Sequence, residues 1–175
     1  MSSAKKFDFE DELNAVIKKV SEIKQIKAKP AIIKEYEVIE AFEKAGKDKA
    51  AFEKNAKVTF DQYMQYLSKY GAVGYFGFEM SGNRAEKNDG TECLVSEQRE
   101  FKYSYKLVYD SDENINSCWI IARTDEPEDH YIDASKKGKG CIYALDFRCG
   151  TSKFLAKDFI GYLEYMCEYF YLRGD

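Results

Sequence analysis

The apolar periodicity of the chain changes near Gly71, and this change limits the fold more than any other feature of the sequence. Before Gly71, apolar side chains recur every three or four residues, which is typical of helices buried on one side. After it, several short runs alternate between apolar and polar residues, as half-buried strands do. The residues from Leu155 to Phe170 return to the helical period. The sequence therefore predicts helices, then a sheet, then a C-terminal amphipathic helix.

Three helices are predicted before the change. The first covers residues 8–28, and the second follows Pro30, which can end one helix or open the next. The third has Thr59 and Gln62 at capping-box spacing near its start and Gly71 at its end. Their predicted apolar faces are Leu13, Val16, Ile17, Val20 and Ile23, then Ile32, Ile33, Tyr36, Ile39 and Phe42, then Phe60, Tyr63, Met64 and Leu67.

The middle of the chain predicts an antiparallel sheet of five or six strands. The predicted strands are 73–80, 101–109, 117–123, 131–134 and 141–147, with a long loop at 81–100. Residues 101–109 alternate as a half-buried strand does, whereas 117–123 is apolar on both faces and predicts a central strand. Short turns favour a meander, because parallel neighbours need crossovers of a dozen or more residues. The predicted class is α+β, with N-terminal and C-terminal helices flanking the sheet.

Composition narrows the class of protein. The 175 residues are 45% hydrophobic, which predicts one domain over 1–175, with 1–29 as an extra N-terminal helix. The sequence has no apolar run of membrane-spanning length, no apolar leader and no CxxC pair among its five Cys. These features predict a reduced, cytoplasmic protein that does not contact the membrane. One His and a net charge of −4 argue against most catalytic-histidine schemes and against nucleic-acid binding.

One turn partly matches a calcium-binding loop. Asp110, Asp112 and Asn114 have the spacing of its first three ligands, but Ile115 replaces the required Gly and Ile121 replaces the final Glu. A solvated turn accounts for these residues better, so no metal site is predicted.

The other reactive side chains also have structural interpretations. His130 follows several carboxylates and could act as a base or bind metal, yet a polar residue is also ordinary at the start of a strand. Cys118, Cys141 and Cys167 lie within apolar patterns and are expected to be small buried hydrophobic residues. We therefore predict no catalytic residue and no cofactor.

Acidic turns flank the predicted central strand. Residues 58–175 carry 14 basic and 20 acidic side chains, whereas 1–57 carry 13 and 11. The two turns, at residues 110–116 and 124–129, are expected at opposite ends of that strand, about 20 Å apart. They are either ordinary solvated turns or patches that steer a basic partner, with exposed aromatic rings nearby. The partner-binding candidates are Tyr75, Phe76, Glu79, Asp110, Asp112, Glu113, Asp125, Glu126, Glu128 and Asp129.

Three stretches carry a family resemblance. They are VTFDQYMQYLSKYGAVGYFGFE (58–79), SCWIIART (117–124) and GCIYALDFRCGTSKFLAKDFIGYLEYM (140–166). Their order of helix, Gly, strand, central strand and final helix resembles the SUKH superfamily. That family includes bacterial immunity proteins and fungal cell-wall-assembly regulators. Thr59 stands where the family has a Pro, and both residue types begin helices.

The resemblance implies a non-catalytic immunity protein in a bacterial polymorphic-toxin system. It would bind and neutralise a cognate toxin domain, often a nuclease, whose basic surface suits the acidic turns. An intracellular regulatory or scaffold module on the same fold is the alternative, and an unrecognised enzyme is a third interpretation. The expected partner is a protein, and the chain is expected to be a monomer or a weak homodimer.

Overall fold

The computed structural model describes residues 32–72, 74–75, 78–82, 90–111 and 113–173. The predicted helix at 8–28, and with it the extra element 1–29, lies outside these residues. The described helices are α1 (Glu35–Lys44), α2 (Lys49–Ala51), α3 (Lys57–Lys69), α4 (Gly90–Tyr109) and α5 (Phe159–Arg173). A π-helix at Phe52–Ala56 joins α2 to α3, and a 3₁₀-helix covers Ile115–Ser117.

Six strands form one antiparallel sheet in chain order. They are β1 (Gly74–Tyr75), β2 (Phe78–Met80), β3 (Cys118–Thr124), β4 (Glu128–Asp133), β5 (Cys141–Asp146) and β6 (Thr151–Ala156). This confirms the α+β class and the antiparallel sheet flanked by helices. The first five residues of β3 are buried, as predicted for a central strand. The helix α4 lies between β2 and β3 in the chain, so the meander has a helical insertion.

The two faces of the sheet pack against different helices. On the face that we call the inner face, Trp119 and Ile132 share a core with aromatic residues of α1, α3 and α5. On the outer face, Ile120 and Tyr131 pack against Phe101 of α4. A bulge at Ile121 shifts the register of β3 against β4 and keeps both Ile121 and Ala122 in the inner core.

The prediction for residues 81–109 is wrong, because much of this segment is the long helix α4 rather than a loop and a strand. Leu94, Gln98, Phe101 and Tyr105 lie three or four residues apart and form the packed side of that helix. The alternation at 101–109 arises because aromatic residues also occupy the solvent side. Tyr103, for example, is 68% exposed.

The predicted capping box of the third helix is also wrong. Thr59 lies inside α3, which continues directly from the π-helix. The side chain of Gln62 instead caps α5, where its Oε1 accepts the amide protons of Phe159 at 3.0 Å and Ile160 at 3.4 Å. A side chain on one helix thus satisfies the free N–H groups at the start of another.

Other predicted elements also differ from the structure in their bounds or in their buried face. The single strand predicted at 73–80 is the paired hairpin β1–β2. The last helix begins at Phe159, and the residues before it form the edge strand β6, which the sequence pattern did not indicate. The helix α1 is confirmed, but its apolar face is only partly right. Ile33, Val38, Ala41 and Phe42 are buried, while Ile32, Tyr36 and Ile39 are exposed.

Candidate partner-binding groove

A surface groove of about 570 Å³ lies between α4 and the turn that joins β3 to β4. We call it the groove. Its charged residues are Arg99, Glu100, Arg123, Glu126, Glu128 and Asp129, and its aromatic rings are Tyr103 and Phe147. Apolar and charged walls in one concave surface are typical of a binding site rather than of a solvated turn.

Arg123 is the central charge of the groove floor. It lies directly opposite Glu79 of β2 and Asp129 of β4 in the strand register. Its Nε is 3.5 Å from Asp129 Oδ1, and its Nη1 donates to Glu100 Oε2 on α4. The guanidinium therefore links the sheet to α4 and neutralises carboxylates from both elements.

Asp129 is only 4% exposed, although the sequence indicated a surface turn at this position. Burial raises the pKa of Asp129 to about 6, while the neighbouring Arg123 acts in the opposite direction. Its carboxylate is thus a structural partner of Arg123 as well as a groove wall, and it is not part of an exposed acidic patch.

Glu128 belongs to a different chain of contacts. Its Oε2 lies 3.7 Å from Nε2 of His130, whose Nδ1 lies 2.8 Å from the hydroxyl of Tyr162 on α5. Desolvation lowers the pKa of the buried His130, so the imidazole is neutral near pH 7. A proton on Nε2 would face the carboxylate and leave Nδ1 to accept from the Tyr162 hydroxyl. The interaction with His130 lowers the pKa of Glu128, which keeps this groove carboxylate ionised.

Glu126 and Phe147 are held by contacts between two turns. Arg148 Nη2 lies 3.1 Å from Glu126 Oε2, and the amide of Phe147 donates to the carbonyl of Pro127 at 2.9 Å. These contacts join the β3–β4 turn to the β5–β6 turn and place the ring of Phe147 at the groove.

The predicted partner-binding residues divide into two groups. Glu126, Glu128 and Asp129 line the groove, and Asp125 and Glu79 are exposed close to it in the chain or in the register. Asp110 and Glu113 are exposed before β3, at its other end, so the expected separation of the two acidic turns holds. Asp112 and Phe76 lie outside the described residues. Tyr75 is in β1, and its side chain is not described.

Eight of the eleven groove residues were not predicted: Arg99, Glu100, Tyr103, Ser104, Arg123, Thr124, Pro127 and Phe147. The first four lie on α4, which the sequence pattern presented as a loop and a strand. The spacing of Arg99, Tyr103 and Leu107, each four residues apart, was the available signal for one helical face.

The other reactive groups have structural positions. Cys118 is buried and desolvation raises the pKa of its thiol, which fits the predicted hydrophobic role. Cys141 is half-buried rather than buried, and the side chain of Cys167 is not described. Within the described ranges, no group of three or more His, Cys, Asp or Glu is placed to hold a metal ion. The same part of the chain contains no helix with both the length and the apolar character that a membrane span needs.

Comparison with known proteins gives no match to a family model, to a curated protein or to a solved structure. The resemblance to the SUKH superfamily therefore stays a prediction from the three sequence stretches.

Proposed function

We propose that this chain is a non-catalytic binding protein of the immunity type, which neutralises a cognate toxin domain by covering a basic surface with the groove. The observation that carries this proposal is the combination, in one groove, of four carboxylates with the exposed ring of Tyr103 and the half-buried ring of Phe147. Tyr103 is 68% exposed, although large aromatic side chains are otherwise mostly used in the core of this protein. Aromatic residues that remain exposed in a concave surface are typical of binding interfaces.

The groove is built on rigid elements, which supports a binding role. β2 pairs with β3 at Ala122–Thr124, and the Ser81 amide donates to the Ile121 carbonyl, so the edge of β3 is left open at Ile120. Gln98 of α4 occupies this position. Its Nε2 donates to the Ile120 carbonyl at 3.0 Å, and its Oε1 accepts the Ile120 amide proton at 3.1 Å. A wall fixed in this way loses little conformational freedom on binding.

A nuclease toxin would match this surface chemically. Enzymes that act on nucleic acid present Lys and Arg to phosphates, so an inhibitor that covers them needs carboxylates. The groove offers four carboxylates, and its rings add contact area with few rotatable bonds. We propose that the encounter takes place in the cytoplasm, consistent with the free thiols of Cys118, Cys141 and Cys149.

The test begins with the gene next to the one that encodes this chain. A toxin gene there should arrest growth when it is expressed alone, and co-expression of this chain should restore growth. Tyr103→Ala should reduce protection. Tyr36→Ala, which removes a similarly exposed ring from α1, should not. If the wild-type chain neither binds nor protects against that gene product, or if no toxin gene is present, the immunity proposal is wrong.

One observation favours the alternative function, a regulatory or scaffold module that binds another cellular protein. Arg123 and Arg148 pair with three of the four groove carboxylates, so the groove is less acidic than its sequence implies. Long-range steering of a strongly basic nuclease would then be weak. Association rates measured over a range of salt concentrations separate the two functions, because only a steered encounter slows steeply as salt is added.

A further inference from the structure

A second concave surface lies between α1, the π-helix and α3, and it shares no residue with the groove. We call it the helical cleft. Its volume is about 210 Å³, and its floor is formed by the buried rings of Phe42, Phe52 and Phe60. At its rim, Ile39 is 47% exposed and Met64 is half-buried. The described part of the chain therefore leaves a largely apolar surface open between three helices.

The sequence before α1 has the pattern that such a cleft accepts. An amphipathic helix fills a hydrophobic groove with apolar side chains spaced i, i+3, i+4 and i+7. Within the predicted helix at 8–28 this spacing is met by Leu13, Val16, Ile17 and Val20. The same segment is rich in charge on its other positions, as a helix with one covered side should be.

The connection and the charges favour an antiparallel return along α1. Residues 29–34 join the segment to α1, and six residues is a usual length between antiparallel helices. This return places the four lysines of residues 18–27 beside α1, which has four glutamates and one lysine. It places the four carboxylates of residues 8–12 beside residues 47–57, which have four lysines and two acidic side chains. Each half of the segment then meets the opposite charge.

We propose that residues 8–28 dock in the helical cleft of their own chain as an amphipathic helix, with their apolar side chains on its aromatic floor. A helix of another protein would fit the same chemistry, but the short connection gives the chain's own segment a high effective concentration at the cleft. This inference goes beyond the proposed binding function and does not depend on it. It assigns the cleft to the chain itself and leaves the groove to a partner.

Hydrogen–deuterium exchange of the full chain, followed by mass spectrometry, tests the docking. The amides of residues 13–23 should exchange slowly in the wild type. Ile39→Asp puts a carboxylate in the apolar cleft and should speed their exchange about tenfold or more. The control is Tyr36→Asp, at an exposed position of α1 outside the cleft, and it should leave their exchange unchanged. The amides of β3 report whether each variant keeps its fold.

A second pair of variants changes the segment and leaves the cleft intact. Ile17→Asp, on the predicted apolar face, should speed exchange in residues 13–23 and also in the π-helix Phe52–Ala56, which would lose its cover. Asn14→Asp adds the same charge on the polar side of the segment and should change neither. This pair decides the question even if Ile39→Asp reduces the protection of β3.

The proposal is overturned if residues 13–23 of the wild type exchange as fast as an unstructured chain, or if the two members of the second pair exchange alike. Protection that increases with protein concentration would assign the cleft to a second copy of the chain and would also overturn it. None of these results alters the outcome expected in the toxin assay, so the two proposals fail separately.

Discussion

The two faces of the sheet are covered in different ways. On the inner face, Trp119 packs against the rings of Phe42 and Phe60, and Phe159 packs against Tyr63 and Tyr66. All of these side chains are at most 8% exposed. Among the described residues, α4 and Ile115 of the 3₁₀-helix cover the outer face, and near the β3–β4 turn the contacts of α4 become charged and open into the groove.

This difference separates stability from recognition in one small domain. The inner face buries most of the aromatic area, and it leaves little room for a ligand. The outer face is held by the packing of Phe101 on Ile120 and Tyr131 and by polar contacts of α4, and beyond them the ring of Tyr103 remains exposed. Substitutions on the inner face should therefore affect unfolding, and substitutions in the groove should affect binding.

The largest effect is expected from Trp119→Ala. Removing the fully buried indole from the inner core leaves a cavity, and the free energy of unfolding should fall by about 3–5 kcal/mol. Urea unfolding followed by circular dichroism measures this value. Trp119→Phe is the control, and it should lose less than half as much because a ring still fills the site. Equal losses for the two variants would contradict the packing account.

Gln98→Ala should have the next largest effect. It leaves the buried amide and carbonyl of Ile120 without their partners, which should reduce the free energy of unfolding by roughly 2–4 kcal/mol. The matched control is Gln65→Ala, at an exposed position of α3. If the two variants unfold at the same urea concentration, Gln98 does not fix α4 to the sheet.

Asp129 should make stability depend on pH. The pKa of Asp129 is raised by burial from 3.8 to about 6 in the folded protein. Between these values the folded state binds more protons than the unfolded state, so its stability falls as the pH rises. The free energy of unfolding should therefore fall by about 2–3 kcal/mol as the pH rises from 3.8 to about 6. Asp129→Asn should not show this fall. Urea unfolding at several pH values tests it, with exposed Asp125→Asn as control. Parallel curves for wild type and Asp129→Asn would exclude the effect.

The smallest effect on stability is expected from Tyr103→Ala. Because the ring is mostly in solvent, the free energy of unfolding should change by less than about 0.5 kcal/mol, as it should for Tyr36→Ala on α1. Thermal unfolding of both variants checks this. A marked loss in Tyr103→Ala alone would mean that its ring supports the fold and is not available to a partner.

The sequence was sufficient for the class of fold and for the strands β3, β4 and β5. The apolar run from Cys118 to Ala122 identified the central strand, because a strand buried on both sides has no polar positions. It was not sufficient for α4. Phe101, Tyr103, Tyr105 and Tyr109 satisfy a two-residue period and a helical one at once, and only the packing of Phe101 on Tyr131 decides between them.

The groove could be predicted only in part, because its residues come from elements that are far apart in the chain. Its carboxylates on the β3–β4 turn were visible as an acidic stretch, but Arg123 and Arg148, which neutralise most of them, lie on different elements. Pairing across strands depends on register, which a single sequence does not specify. The burial of Asp129 and the contact between Glu128 and His130 therefore required the structure.

The most direct test of the account is the affinity of this chain for the toxin domain encoded beside it, measured by calorimetry for matched variants on the two sides of the molecule. The account predicts that Tyr103→Ala weakens binding by about tenfold or more, while Tyr36→Ala binds as the wild type does. Equal affinities for both variants, or a larger loss in Tyr36→Ala, would contradict the assignment of the groove as the binding surface.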